Sequence, residues 1–139
     1  MVNIYIDMCA DLFHYGHVKQ LQRCRELCEK EDKVIVGIHS DKTIESYKRI
    51  PIMNMKERIA VVEACKYDDV VIPDAPLTLT EYYIKKHNIS MVCTSDNRSM
   101  EETILMYSVA VGMGILKILP HTNSISTSSI IQRVQKNKR

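Results

Sequence analysis

Short apolar runs alternate with amphipathic stretches along the whole chain. Val2–Ile6 reads as a strand. Val18–Glu29 reads as a helix, with apolar Val18, Leu21, Cys24 and Cys28 recurring at three- and four-residue steps. Lys33–Ile38, KVIVGI, is a continuous apolar run of the kind buried on both faces of a sheet. The pattern then predicts a helix over Met55–Lys66, a strand over Asp69–Ile72 and a helix over Thr80–His87. A strand at Ser90–Thr94, a helix at Glu101–Val111, a strand at Gly114–Leu119 and a helix at Ser126–Gln135 complete the series. Strand and helix repeated five times predict an α/β fold, a doubly wound parallel five-stranded sheet with helices on both faces. Ligands of such sheets bind beyond the carboxyl ends of the strands, so the chemistry is expected in the loops that follow them.

Composition narrows the partners. At 139 residues the chain is read as one domain over 1–139, long enough to bury a core. A formal net charge of +2 implies no polyanion partner, so nucleic acid is not expected. The basic end at Lys136, Lys138 and Arg139 reads as a solvated tail. Five cysteines without a CxxC pair, mostly in apolar runs, read as reduced core residues of an intracellular protein. Nothing resembles a signal peptide or a membrane segment, and a cytoplasmic location is expected.

Polar residues gather after the strands: Asp7, Cys9, Asp11, His14 and His17 after the first; His39, Ser40, Asp41, Lys48 and Arg49 after the second. Ser95 and Asp96 follow the fourth, and HTNSISTSS, His121–Ser129, follows the last. His14 and His17 sit one helical step apart at a helix start, where backbone N–H groups and the helix dipole suit an anion. Gly16 between them removes a side chain where a phosphate would approach. The Ser126, Thr127, Ser128 and Ser129 run is either a second phosphate cradle or a cap with surface hydroxyls. As a zinc site, HxxH supplies only two ligands and lacks a third.

The stretch DLFHYGH resembles the HxGH signature of the nucleotidyltransferase superfamily, and HTNSISTS at His121–Ser128 resembles its companion R-T-x-G-I-S-T-[ST]. KRIPIMNMKER resembles the family's lysine loop and glutamate-arginine pair. CKYDDVVIPDAPLTLT, Cys65–Thr80, is similar to a segment of the phosphoethanolamine and phosphocholine cytidylyltransferases. The resemblance spans nearly the entire chain and implies a Rossmann-like fold. It also implies transfer of CMP from CTP to a phosphorylated amino alcohol, with pyrophosphate released in phospholipid precursor synthesis. By resemblance, His14, His17 and Lys48 are catalytic. Cys9, Ala10, His14, Gly16, His17, Asp96, His121, Ser126, Thr127 and Ser128 bind nucleotide. Asp7, Lys48 and Arg58 bind the phospho-substrate, Asp7 facing its ammonium. Magnesium is expected with CTP rather than in a protein site. A homodimer formed partly through Lys66–Val70 is expected, and no membrane-sensing segment.

A quaternary ammonium is usually held by aromatic faces. Leu77 stands where the phosphocholine enzymes carry tryptophan, and Ser99 falls near their tyrosine. This favours phosphoethanolamine over phosphocholine, with Tyr82 or Tyr83 as the available rings. The chain departs from the pattern at Met8 and Ala10 in the first loop, and at His121 and Ser124, where the family has arginine and glycine. Arg49 is the candidate to restore the lost charge. An active cytidylyltransferase with altered nucleotide contacts, a non-catalytic nucleotide-binding relative, and a glycerol-3-phosphate cytidylyltransferase therefore stay open.

Overall fold

The computed structural model describes residues 1–137, so the tail expected at Lys138 and Arg139 lies outside the described residues. The strands are β1 (Asn3–Met8), β2 (Lys33–Ile38), β3 (Val70–Ile72), β4 (Met91–Ser95) and β5 (Leu116–Leu119). All pair in parallel, in the order β3-β2-β1-β4-β5. The order reverses between β1 and β4, which opens a crevice at their carboxyl ends.

The helices are α1 (Tyr15–Glu26), α2 (Asp41–Tyr47), α3 (Met55–Glu63), α4 (Glu81–Lys86), α5 (Met100–Met106), α6 (Ser108–Gly112) and α7 (Thr127–Lys136). Strand period divides the core into two. Ile4, Ile6, Val34, Val36 and Ile38 join Leu21 and Cys24 of α1 and Val62 of α3 on one face. Tyr5, Ile35 and Val92 join Ile84 of α4, Tyr107 and Ala110 of α6 on the other. Tyr5 is admitted by Gly37 across the sheet, where a Cβ would lie 2.2 Å from the phenol oxygen. No described helix is long and apolar enough to cross a membrane.

Three elements differ from the pattern. Asp41–Tyr47 forms a helix that periodicity does not announce, because it buries only Ile44 and is nucleated by the Ser40 cap. The helix expected over Glu101–Val111 is broken at Tyr107, whose backbone leaves the helical region at φ −116°, ψ 30°. Helix α1 begins three residues before Val18 because His14 caps it.

Candidate active site

A cleft of about 450 Å³ opens at the β1/β4 reversal. Its walls carry Asp7 and Met8 from β1, His39 after β2, Thr94 and Ser95 from β4, and His121 after β5. The N-termini of α1 and α7 both reach it, through His14, Gly16 and His17 and through Ser126 and Thr127. Neither helix has an acidic residue in its first turn to offset its positive pole.

The two histidines are held by backbone rather than by each other. Nδ1 of His14 accepts the Gly16 N–H at 3.0 Å, and Nδ1 of His17 accepts the His14 N–H at 3.1 Å. An accepting Nδ1 places the proton of a neutral ring on Nε2. Both rings thus present an Nε2–H donor to the cleft, with centroids 3.9 Å apart. Burial, then neighbouring His14 and Lys48, hold His17 down to about 3. Burial, then Lys48 and Arg133, also lower His14. At neutral pH the pair donates hydrogen bonds without carrying charge. Gly16 serves this arrangement directly: a Cβ there would stand 2.8 Å from His14 Cε1. Its need is the folded-back imidazole as well as the open wall of the cleft.

Positive charge comes from Lys48 and Arg98, which both line the cleft. Arg98 was not legible as a site residue; it follows β4 and its guanidinium lies 3.4 Å from Thr94 Oγ1. Arg49, the expected substitute for the missing arginine, turns away and faces Asp11 at 3.7 Å. His121 lines the cleft, but its Nδ1 and its backbone N–H are both directed to Asp96 Oδ1. Asp96, lowered by those two bonds, is engaged by His121 and does not line the cleft.

At the opposite wall, Asp7 Oδ1 accepts the Tyr107 hydroxyl at 2.7 Å. Burial and Asp7 push the Tyr107 phenol up, so it stays a donor. Among the described residues Asp7 Oδ2 has no hydrogen-bond partner, and neither has His39 Nε2, 3.8 Å away. Tyr107 is the ring beside Asp7, because the break between α5 and α6 turns it inward. Tyr82 is exposed, and Tyr83 bonds Tyr5; neither lines the cleft. Leu77 does line it.

Several expected contacts are placed elsewhere. Arg58 is fully buried behind the cleft and donates to the carbonyls of Met53, Cys9 and His39 and to Asp41 Oδ1 at 2.6 Å. It therefore pins the loops after β1 and β2 rather than reaching a substrate. Cys9 is held by that contact, outside the cleft wall. Ala10 is fully buried in the core at φ +57°, a conformation costing about 1 kcal/mol for a residue with a Cβ. Met8 alone of the two departures in this loop reaches the cleft. Ser128 is exposed on the first turn of α7 and does not line it. Thr127 does, although its hydroxyl is spent on the Asp11 carbonyl.

Asp11 has a fastening role that its place after β1 does not announce. Its carboxylate accepts the N–H groups of Ile52 and Met53 at 2.8 and 2.9 Å, and its carbonyl holds Thr127. It ties the first loop to the α2–α3 connection and to α7.

The profile of the family described as Cytidylyltransferase-like matches residues 5–133. An ethanolamine-phosphate cytidylyltransferase of Arabidopsis thaliana is 43% identical over 96% of this chain and 32% of its own. A choline-phosphate cytidylyltransferase of Saccharomyces cerevisiae is 32% identical over 96% of this chain and 31% of its own. The chain spans about a third of the length of these relatives. Among solved structures, a lipopolysaccharide core biosynthesis protein from Thermoplasma volcanium shares the fold, with a TM-score of 0.70 at 20% identity, covering 88% of this chain and 97% of that one.

Proposed function

The chain belongs to the cytidylyltransferase-like family, and on that premise we propose that it transfers CMP from CTP to phosphoethanolamine. A phosphate oxygen of phosphoethanolamine attacks the α-phosphorus of CTP, and the bond from that phosphorus to the bridging oxygen breaks. Pyrophosphate leaves with the electron pair. Such a reaction asks for positioning and charge stabilisation more than for covalent help. The paired Nε2–H donors of His14 and His17 carry the reading. They are fixed before substrate arrives, so they stabilise growing phosphoryl charge without reorganising.

Around them, the α1 and α7 N-termini supply backbone donors, and Ser126 adds a hydroxyl. Lys48 and Arg98 balance the triphosphate. Magnesium enters as part of the CTP substrate, offsetting charge on the departing pyrophosphate. Asp7 faces the substrate's ammonium across the cleft. The names of the relatives support both amino alcohols. Leu77 in place of a tryptophan supports the primary one, since it leaves two phenols, Tyr47 and Tyr107, and no indole in the cleft wall. A homodimer through Lys66–Val70 belongs to the same reading and is checked by sedimentation velocity.

The test supplies CTP and magnesium with phosphoethanolamine, phosphocholine or glycerol 3-phosphate and measures pyrophosphate. Release fastest with phosphoethanolamine is the expected result. No release with any acceptor, alongside intact CTP binding, makes the chain a nucleotide-binding relative instead.

A further inference from the structure

We propose that His39 is a specificity residue that, with Asp7, counts the N–H bonds of the substrate's ammonium group. The inference rests on the phosphoethanolamine reading and deepens it. Both side chains are more than nine-tenths buried, at 7% and 3% exposure, and both line the cleft. Each has one atom without a hydrogen-bond partner among the described residues, His39 Nε2 and Asp7 Oδ2, and the two face each other at 3.8 Å. Buried polar atoms left open in this way are costly unless a ligand meets them.

The hydrogen-bond chain behind His39 allows Nε2 to act as an acceptor. The Tyr47 hydroxyl is directed to Cys9 Sγ at 3.8 Å, which uses its single proton. His39 Nδ1, 2.9 Å from that oxygen, is then free to donate to it. In the proposed complex Nδ1 donates to Tyr47, and Nε2 accepts from the ligand. Asp7 already spends Oδ1 on Tyr107, so its free oxygen is the second acceptor. One nitrogen seated about 2.9 Å from each can donate to both. A primary ammonium does so with an N–H to spare. A quaternary ammonium has none and strands both acceptors in a closed wall. Sites built to receive an N–H reject analogues that lack it far more strongly than apolar pockets reject an extra methyl.

The experiment follows pyrophosphate release with CTP, magnesium and four acceptors: phosphoethanolamine and its N-methyl, N,N-dimethyl and N,N,N-trimethyl derivatives. Each methyl removes one N–H. Two acceptors are met while two N–H bonds remain. The expected profile therefore keeps kcat/KM within a few-fold for the first methyl and drops it about tenfold or more at the second. In His39→Leu one acceptor is gone, and the main drop moves to the third methyl. A wild-type profile without a step at the second methyl overturns the proposal with no variant needed. A folded His39→Leu protein, verified by circular dichroism, that keeps the wild-type step overturns it as well. Glycerol 3-phosphate turning over as fast as phosphoethanolamine would instead defeat the amino-alcohol reading, and this inference with it.

Discussion

His17 does two jobs with one ring. Its Nδ1 closes the capping box of α1 and its Nε2–H faces the cleft. His17→Ala is expected to lower kcat about 10²–10³-fold, while the loss of the cap costs on the order of 1 kcal/mol and leaves the fold in place. Steady-state rates and a thermal melt of the same preparation separate the two effects. The lowered value of about 3 has a stability consequence. The unfolded histidine takes up a proton near 6.5, where the folded one does not. Stability is therefore complete above 6.5 and is lost as pH falls from there toward 3, by about 2 kcal/mol by pH 5. Urea unfolding of wild type and His17→Asn at pH 7.5 and 5 should show a smaller acid loss in the variant. The HxGH spacing made this residue visible in the sequence. That it works as a neutral donor depends on a 3.1 Å contact with a neighbouring backbone N–H, which spacing does not encode.

Helices α2 and α3 are the elements whose role reverses the sequence expectation. Arg58 stands at the family's arginine position on α3, yet its guanidinium joins two strand-end loops and the start of α2. Arg58→Met leaves three carbonyls and a carboxylate short of a partner and should cost about 3 kcal/mol. A fall in melting temperature on the order of 10 °C follows, and KM for both substrates should rise with it. Arg58→Lys is not expected to restore stability, since one ammonium cannot span four acceptors. A variant with wild-type melting and a raised KM for the phospho-substrate alone would return Arg58 to the cleft. Helix α2 itself escaped the pattern because one buried residue makes no period. The break at Tyr107 escaped it because an apolar stretch reads as helix whether or not it turns.

At the scale of the whole molecule, the edge of the sheet beside β3 carries a charge cost of its own. Burial, and then Asp69, push Asp68 up to about 6, although Arg25 acts against this, and Asp68 Oδ2 has no hydrogen-bond partner among the described residues. A folded-state value above the unfolded one means the contribution is fully present below about 4 and is lost as pH rises through 6. Asp68→Asn should accordingly raise the melting temperature at pH 7.5 by up to about 3 °C and leave it unchanged at pH 4. Calorimetry at the two pH values checks this. The order of elements, the parallel sheet and the edge bearing the chemistry were all set by the sequence. They follow from side-chain period and from motif residues adjacent in the chain, which act through local sterics and local hydrogen bonds. Which loop residues face the cleft was decided only in three dimensions. Arg58 lies on α3 and Arg98 in the loop after β4, and neither position by itself says which guanidinium reaches the cleft. Contacts spanning 49 residues from Arg58 to Cys9, and 116 from Thr127 to Asp11, turned one set of polar groups into fasteners. Asp7 Oδ2 and His39 Nε2 were left facing the cleft without a hydrogen-bond partner among the described residues.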